Sequence, residues 1–316
     1  MKKVGIIGAG ISGLTCAREL KAKGFEVTVL EKSRSYGGRC ATRLWNGHVV
    51  DHGAQFFTIN DPFFRSELEN LAGDSLKKLE SPVMDFQGRI IPPTGNGRRY
   101  LSTGNNRLGK ILGQGLEIRF EQRVERIRVE GHHILADDLH FDALVCSVPT
   151  PQLADLLVWD KSPVSYARGL TVLFEYQGLK TGLFTDRYAL STQDPDEPLS
   201  WSACENHKEG RIKGDASVFV VQASEVFSNE HWDDEPAGYV PLLRERLEKH
   251  WGLEGFAPVN TFAHRWGYAK PVESEPFPAL PPGLFVCGDG VVKARIEDVW
   301  LSGVRTAGDV VSFLEK

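Results

Sequence analysis

Hydrophobic and polar positions follow two different periods at the start of the chain. Residues 4–7 form a short apolar run, which is typical of a buried parallel strand, and apolar residues then recur at helical spacing over residues 11–20 before Gly24. A second apolar run covers residues 27–30. The pattern predicts a strand, a helix and a strand in about 30 residues, a crossover that places both strands parallel in one sheet.

Beyond residue 60 the sequence predicts a helix, a loop and several further strands. Asp61 and Pro62 have the pattern of a helix cap and first helical position, and an apolar stripe follows them. Residues 90–106 are rich in Pro, Gly, Asn and Arg and are expected to form a loop, whereas residues 117–120, 124–129, 133–135 and 144–148 are expected to be strands. The last of these is apolar enough to join the first sheet.

The middle of the chain predicts a second unit. Residues 170–176, 217–223 and 261–268 have strand patterns, and apolar residues of 240–251 share one helical face. Four prolines in 275–282 mark a return crossing to a buried strand at 284–287 and a closing helix at 300–314. We therefore predict an α/β protein in which residues 1–60, 105–150 and 275–316 form a Rossmann-type domain with a parallel sheet. Residues 61–104 and 151–274 would form an inserted antiparallel α+β substrate domain.

Composition narrows the class of protein. The 316 residues are 41% hydrophobic and 25% charged, with a formal net charge of −5, so no general positive field favours nucleic acid. Lys2, Lys3 and the apolar run after them imitate a signal peptide, but regularly spaced glycines interrupt that run, and no other segment has a membrane-spanning apolar length. Five scattered cysteines predict reduced thiols and a cytoplasmic protein.

A glycine motif carries the first chemical signal. Gly8, Gly10 and Gly13 have the G-x-G-x-x-G spacing between the first strand and the helix, where the backbone permits close approach of a pyrophosphate. Glu31 follows 18 residues after Gly13, at the end of the second strand, and its carboxylate suits ribose hydroxyls. This unit predicts a dinucleotide site and does not by itself separate FAD from NAD.

A longer string extends the signal, because Gly37-Gly38-Arg39 follows the strand and Gly288-Asp289 follows the late strand. Together these strings resemble the flavoprotein amine oxidase superfamily. The resemblance implies FAD, with Gly-Gly-Arg along its pyrophosphate, Asp289 on a ribitol hydroxyl, Val124 beside adenine and a helix starting near Trp300 at the pyrimidine edge of the flavin. Monoamine oxidases of this superfamily can link FAD through a cysteine shortly before the late strand; no cysteine lies between Cys204 and Cys287, so noncovalent FAD is expected. The cofactor-binding residues implied are Gly8, Gly10, Ile11, Ser12, Gly13, Glu31, Lys32, Gly38, Arg39, Gln55, Phe56, Val124, Gly288, Asp289, Val299, Trp300 and Ser302.

Three further segments resemble the renalase branch of that superfamily: residues 51–58, residues 263–271, and residues 295–303. By this match Gln55 and Phe56 lie near the flavin ring, although Phe56 and Phe57 are also ordinary core candidates. Strand alternation sends His264, Trp266 and Tyr268 to one face and Arg265 to the other. Gln55, His264, Trp266 and Tyr268 are the candidate catalytic residues, with His264 expected to orient the substrate; an aromatic face with a satisfied histidine is the alternative.

The resemblance implies an FAD-dependent oxidoreductase whose flavin N5 accepts a hydride from 2- or 6-dihydro isomers of NAD(P)H and whose electrons pass to O2. Two alternatives stay open: an FAD-dependent amine oxidase acting on a small amine, and a flavin- or NAD-binding protein without turnover. No metal site is expected, because the histidines and aspartates of 132–140 fall on a short hairpin and match no ligand spacing.

Overall fold

The structure, a computed structural model, describes residues 1–179, 184 and 186–316. Its strands are β1 (Lys3–Ile7), β2 (Glu26–Leu30), β3 (Thr42–Trp45), β4 (His48–Asp51), β5 (Phe57–Thr58), β6 (Leu76–Lys78), β7 (Val83–Asp85), β8 (Ile90–Ile91), β9 (Arg98–Leu101), β10 (Glu117–Arg119), β11 (Ile127–Glu130), β12 (His133–Ala136), β13 (Leu139–Phe141), β14 (Ala143–Cys146), β15 (Val164–Gln177), β16 (Ala189–Ser191), β17 (Leu199–Cys204), β18 (Ala216–Ala223), β19 (Asn260–Ser274) and β20 (Leu284–Val286). Its helices are α1 (Ile11–Ala22), α2 (Pro62–Ala72), α3 (Arg107–Leu112), α4 (Thr150–Leu157), α5 (Glu225–Glu230), α6 (Pro236–Trp251) and α7 (Ile296–Leu314), with 3-10 turns at Gly73–Ser75 and Glu205–His207.

Apolar runs at both ends of the chain meet in one parallel sheet. Its strand order is β10-β2-β1-β14-β20, and every neighbouring pair in it is parallel. The three central strands, β2, β1 and β14, are buried on both faces, as a near-continuous apolar sequence predicts. The predicted Rossmann-type α/β class is confirmed.

Helices α1 and α7 pack closely on this sheet. A Cβ built on Gly303 of α7 would lie 2.4 Å from the carbonyl oxygen of Ser12 in α1, so only glycine permits this approach. The predicted start of the closing helix near Trp300 is wrong, because α7 begins at Ile296. Glu297 favours this earlier start: an acidic group suits a helix N-terminus, and its carboxylate accepts hydrogen bonds from the backbone N–H groups of Asn60 and Asp61.

A seven-stranded sheet forms the other layer, in the order β19-β15-β18-β17-β16-β7-β8. Its pairs are antiparallel except β7 with β16, which is parallel. One face of the sheet packs against α6 through a cluster that includes Val172, Phe219, Val221, Leu243 and Trp251. The opposite face is therefore turned toward the 48–56 segment, where Val50 packs with apolar side chains of β15 and β18.

Several local expectations can be compared directly with the structure. The Asp61 side chain accepts a hydrogen bond of 2.9 Å from the N–H of Phe64, which confirms the predicted helix cap. The predicted loop at 90–106 is wrong in part, since β9 lies within it and pairs with β5 and β6. All five cysteines are free and buried. Among the residues described, no helix combines the length and apolar character needed to cross a membrane. The division into two domains at the stated residues stays a prediction.

Candidate functional site

The turn between β1 and α1 leaves open space beside one glycine. Gly8 has φ +104°, a conformation that favours glycine, and a Cβ on Gly13 would lie 2.3 Å from the Gly8 carbonyl oxygen. A Cβ on Gly10, in contrast, would meet no protein atom within 4 Å. Ile11 and Ser12 are buried in the first turn of the helix that follows. Gly8 and Gly13 are thus required by the fold, whereas Gly10 borders free space where a ligand can approach the backbone.

Glu31 is tied to this turn. Its Oε2 accepts a hydrogen bond of 2.7 Å from the N–H of Ala9, and its Oε1 accepts one of 2.8 Å from the N–H of Ser33. The side chain is buried, whereas the neighbouring Lys32 is exposed. Two carboxylate oxygens offer about four acceptor positions, so Glu31 retains capacity for ribose hydroxyls.

The Gly37-Gly38-Arg39 segment lies against the same turn. Gly37 and Gly38 have φ of +97° and +55°, Gly37 forms a parallel bridge with Gly10, and a Cβ on Gly38 would lie 3.5 Å from the Gly10 Cα. Arg39 forms a bidentate ion pair with Asp289, at 2.5 and 2.6 Å. The residues predicted to meet the pyrophosphate and the ribitol chain therefore lie side by side.

Asp289 follows Gly288, which has φ +107° and whose N–H donates to the Ser302 hydroxyl at 3.2 Å. Tyr166, at the start of β15, donates a hydrogen bond of 3.1 Å to Asp289. Burial raises the pKa of Tyr166 to about 12, and the Asp289 carboxylate adds to the shift, so this phenol keeps its proton. We call the glycine turn at residues 8–13, the Gly37-Gly38-Arg39 segment and Asp289 the cofactor cradle. Through Tyr166 this cradle connects the late strand of the parallel sheet to the seven-stranded sheet.

Three other residues that were predicted to contact FAD lie outside the glycine turn and the Arg39–Asp289 pair. Val124 is buried near the carboxyl end of β1, in a cluster with Ile7 and Leu30. The Val299 N–H donates to the Arg295 carbonyl, and Trp300 packs its ring on Phe64 in the second turn of α7. Because α7 starts at Ile296, the N–H groups at 299 and 300 are used within the helix, and the contact of these residues with a flavin edge stays a prediction.

The glycine turn, the buried carboxylate and the Arg39–Asp289 pair fit a dinucleotide cofactor. The fit depends on the open space at Gly10, which a Cβ would enter, and on the adjacent glycine segment at 37–38. A pyrophosphate suits backbone N–H groups at a helix N-terminus, and a guanidinium suits phosphate oxygens. These residues would hold FAD.

The seven-stranded sheet places four polar or aromatic side chains in one row. His264 pairs with Thr171, Thr171 with Gln222, and Gln222 with Trp201. Directly opposed residues of antiparallel strands point to the same face, so the row crosses four strands on one face.

Residues 52–55 run over that row. The His52 ring lies 5.2 Å from the His264 ring, the Gly53 carbonyl accepts from Gln222 at 3.4 Å, and Gln55 accepts from the Trp201 indole N–H at 2.7 Å. A Cβ on Gly53 would lie 2.0 Å from the Arg39 carbonyl oxygen. The 52–55 segment is therefore held between the cofactor cradle and the sheet.

An aromatic wall forms at the β19 end of the row, from His52, His264 and Trp266. The ring centroids of His264 and Trp266 are 4.3 Å apart, and the His52 ring stacks on Trp266 at 5.5 Å. The Trp266 N–H donates to Thr171 at 3.2 Å, which fixes the indole. His264 and Trp266 thus share a face as predicted, while Arg265 points the other way and donates to the Asp234 carbonyl.

Tyr268 lies at the cradle end of β19. The register of β15 and β19 shifts between Trp266 and Lys270, so Tyr268 lies in an irregular stretch. Its ring packs on Tyr166 at 5.8 Å, and its carbonyl lies 3.4 Å from the Arg39 guanidinium. Its shared face with His264 and Trp266 stays a prediction, and its ring contact is with the cofactor cradle.

Burial governs the protonation of the two imidazoles. It lowers the pKa of His52 to about 4, with the charges of His264 and Arg43 adding to the shift. Burial and the Arg43 charge also lower the pKa of His264. At neutral pH the wall is therefore uncharged.

Gln55 and Phe56 belong to a second aromatic group. The Tyr188 hydroxyl lies 3.3 Å from the Gln55 Oε1, while the buried Gln55 Nε2 has no hydrogen-bond partner among the described residues. The Phe56 ring lies 5.7 Å from the Trp201 ring, whereas Phe57 is buried in the core of the parallel-sheet layer. Phe57 is therefore a core residue, and Phe56 packs both on Trp201 and against a buried cluster that includes Tyr100 and Tyr188, so its place near a flavin stays a prediction.

A buried ion cluster underlies the site. Asp51 and Glu205 are each within ion-pair distance of both Lys208 and Arg211, and all four side chains are 0% exposed. Although burial opposes ionisation, Lys208 and Arg211 hold the pKa of Asp51 below its ordinary value. Tyr188 donates to Glu205 at 2.9 Å, which connects the cluster to Gln55.

Sequence reasoning missed several residues of this site. Tyr166, Thr171, Tyr188 and Trp201 come from the part of the chain where the family resemblance is weak, and strand register brings them together. His52 stands in a segment quoted for its resemblance and was not singled out. Its position between an aspartate and a glycine just before Gln55 was the available signal.

Comparisons with known proteins agree with this geometry. A family model described as an NAD(P)-binding Rossmann-like domain matches residues 6–67. The chain is 40% identical over 90 residues to protoporphyrinogen oxidase 2, chloroplastic/mitochondrial, of Arabidopsis thaliana, which covers 28% of this chain and 17% of that protein. The chain spans less than a third of the length of the curated relatives it matches.

Two solved structures resemble the whole chain. A protein from Exiguobacterium sp. 255-15, described provisionally as a protoporphyrinogen oxidase, has a TM-score of 0.81 at 14% identity, covering 100% of this chain and 99% of that one. Cyclohexylamine oxidase from Brevibacterium oxydans IH-35A has a TM-score of 0.75 at 13% identity, covering 100% of both chains. At these identities the likeness concerns the fold. Taken together, the comparisons show a Rossmann-like nucleotide-binding segment at residues 6–67 and a whole-chain fold shared with these oxidases, and they do not distinguish a renalase-like branch.

Proposed function

We propose that this chain is an FAD-dependent oxidoreductase that oxidises 2- or 6-dihydro isomers of NAD(P)H to NAD(P)+ and reduces O2 to H2O2. When bound, FAD supplies a hydride acceptor at N5 and reactivity toward O2. Each turnover removes one hydride from the donor and, with one solvent proton, delivers two electrons and two protons to O2. Loss of hydride restores an aromatic pyridinium, so the donor needs no base.

The uncharged aromatic wall is the observation that carries this proposal. A histidine with a pKa of about 4, such as His52, is too weak a base to take a proton from an ammonium ion at neutral pH. Flat rings at His264 and Trp266 suit a flat nicotinamide ring instead. The wall therefore favours a donor that is held by stacking and releases hydride without proton abstraction.

The chain's own residues position the donor. Thr171 fixes the Trp266 indole, and the 52–55 segment joins the wall to the cofactor cradle through the Arg39 backbone. We assign orientation to His264, and Gln55 supplies a carboxamide already fixed by Trp201. Holding two reacting rings in contact lowers the entropic part of the barrier.

An amine oxidase is the second candidate. Its support is the likeness in fold to cyclohexylamine oxidase and to a putrescine oxidase solved with putrescine bound. Aromatic rings such as Trp266 would also accommodate a neutral amine. A flavin- or NAD-binding protein without turnover is the third, and it would share the cradle.

Anaerobic stopped-flow reduction of the FAD-loaded protein separates the three. Under the proposal, 2- or 6-dihydro-NAD bleaches the flavin rapidly, with no steep rate increase from pH 6 to pH 9. Amines would instead reduce it faster as the pH approaches their pKa. Bleaching by amines alone would overturn the proposal, as would the absence of bleaching by either class.

A variant tests the role of His264. His264→Ala should lower the reduction rate by less than the roughly 100-fold that loss of a general base causes. His133→Ala, at an exposed position on β12, is the matched control and should leave the rate unchanged. A steep pH dependence that His264→Ala abolishes would favour base-assisted chemistry.

A further inference from the structure

An arginine lies beyond the aromatic wall, at its outer end. Arg43 of β3 stacks on Phe262, with its guanidinium carbon 3.9 Å from the ring centroid. Phe262 precedes His264 by two residues on β19, and the two rings stack at 6.4 Å. The strip of rings that starts at the cofactor cradle therefore continues through Trp266 and His264 to Phe262 and ends at a positive charge.

Arg43 differs from the other arginines around the site. Arg39 is paired with Asp289 and Arg211 with Asp51, whereas no carboxylate lies within 4.0 Å of Arg43 in the part of the chain that the structure describes. It is exposed, and no hydrogen bond from its guanidinium to a described residue is present. Its stacked face is covered, and its N–H edge is free for a ligand.

The nearby carboxylates have other partners. Glu175, on the same face of β15 as Thr171, accepts hydrogen bonds from the neutral amides of Asn46 at 2.7 Å and Asn260 at 2.9 Å, which satisfy its oxygens without neutralising its charge. Asp51 is enclosed in the buried ion cluster. The charge of Arg43 reaches His52 and His264, where it lowers both pKa values. Arg43 is therefore a cation at the outer end of the wall with no described carboxylate at ion-pair distance.

From this geometry we infer that Arg43, stacked on Phe262, binds a phosphate group of the electron donor. The inference rests on the proposed function and deepens it, because it selects an anionic dinucleotide over a cationic amine. Arginine binds phosphate oxygens through two parallel N–H groups, and an unpaired cation repels an ammonium. Phe262 and Trp266 are four residues apart along β19. At about 3.3 Å per residue this spacing corresponds to roughly 13 Å, which is the length scale of an extended nucleotide.

Calorimetric binding of NAD+ to the oxidised, FAD-loaded protein tests the inference without turnover. Arg43→Gln should weaken NAD+ binding about 10-fold or more, the lower bound for loss of one charge-assisted contact. Arg43→Lys, which keeps the charge, should lie between wild type and Arg43→Gln. Nicotinamide riboside, a pyridinium cation without phosphate, should bind Arg43→Gln no more weakly than wild type, and a comparison of NAD+ with NADP+ distinguishes a pyrophosphate contact from a 2′-phosphate contact.

Arg265→Gln is the matched control. It removes an arginine from the opposite face of the same strand, where the side chain donates to the Asp234 carbonyl, and NAD+ affinity should not change. Salt should weaken NAD+ binding to wild type more than to Arg43→Gln. With 6-dihydro-NAD as donor, Arg43→Gln should raise KM and leave kcat within about 2-fold.

The outcomes separate the inference from the proposed function. Rapid flavin reduction by dihydro-NAD in both wild type and Arg43→Gln, with equal NAD+ affinity, would overturn the Arg43 assignment alone. Failure of dihydro-NAD to reduce the wild-type flavin, together with no NAD+ binding, would overturn the proposed function and the inference with it. Equal losses in Arg43→Gln and Arg265→Gln would show a general charge effect and would also refute a specific phosphate contact.

Discussion

The buried ion cluster allows a quantitative test of what holds the site together. Lys208→Met removes one cation and leaves Arg211 facing two carboxylates, Asp51 and Glu205, with every side chain fully enclosed. Breaking a buried pair on one side costs about 3–5 kcal/mol, because a charge is left uncompensated. At roughly 2–3 °C per kcal/mol for a chain of this size, Tm should fall by about 6–15 °C.

A second substitution shows whether charge balance is the cause. Lys208→Met combined with Glu205→Gln restores neutrality, retains an acceptor for the Tyr188 hydroxyl and leaves the Asp51–Arg211 pair. The double variant should regain about half of the lost free energy of unfolding, measured by urea titration of the FAD-loaded protein.

Arg34→Met is the matched surface control, since it breaks an ion pair with Glu121 whose side chains are 87% and 64% exposed. Its cost should be at most about 1 kcal/mol. The reasoning is refuted if Lys208→Met costs no more than Arg34→Met, or if the double variant is as unstable as the sum of its parts.

The same cluster sets the direction of the pH dependence. The folded-state pKa of Asp51 is lowered, so its contribution to stability is present above the ordinary Asp value and is lost as pH falls through the folded pKa. His52, buried as the neutral form with a pKa of about 4, adds a loss as pH falls below its ordinary value of 6.5. Both groups predict acid destabilisation: urea titrations between pH 7 and pH 4 would measure the His52 loss, and titrations continued below 3.8, the ordinary Asp value, would measure the Asp51 loss.

Three further predictions concern the cofactor. FAD should be released by acid precipitation, because no cysteine lies between Cys204 and Cys287 to link it; flavin retained by the precipitated chain would contradict this. Glu31→Ala should weaken FAD binding by about 10- to 150-fold, more than Glu31→Gln, which keeps an acceptor, and equal dissociation constants in both variants and wild type would remove Glu31 as the ribose ligand. Gly10→Val should fold with normal circular dichroism and lose FAD, because its side chain enters open space, whereas Gly13→Val should fail to fold, because its Cβ meets the Gly8 carbonyl at 2.3 Å; normal FAD content in Gly10→Val would contradict the assigned cradle.

The parts of the site that the sequence predicts are those that depend on backbone shape. Gly8, Gly13 and Gly37 are constrained by positive φ or by contacts too close for a Cβ, and such constraints appear directly as glycine at fixed spacing. Short buried strands are equally visible as apolar runs, so the parallel sheet follows from pattern alone. The start of α7 was misplaced because Arg295, Ile296 and Glu297 carry no Ser, Thr or Asn cap, and the signal of Glu297 lies in its contact with Asn60, distant in the chain.

The substrate side could not be predicted in the same way. Trp201, Gln222 and His264 form one row only through the register of four strands, and a shift of one residue would turn each side chain to the other face. The register of β15 and β19 also shifts between Trp266 and Lys270, which the even spacing in sequence does not indicate. Register depends on long-range pairing, which a single sequence does not encode locally.

The 52–55 segment combines a backbone constraint that is visible in the sequence with contacts that depend on strand register. Gly53 is fixed by the backbone, with no room for a Cβ beside Arg39, and its neighbours His52 and Gln55 extend onto the sheet row. A displacement of the cofactor cradle would therefore move the aromatic wall, because both share the same backbone. Because the 52–55 segment touches both layers, a local motif there carries information about a site assembled from distant strands.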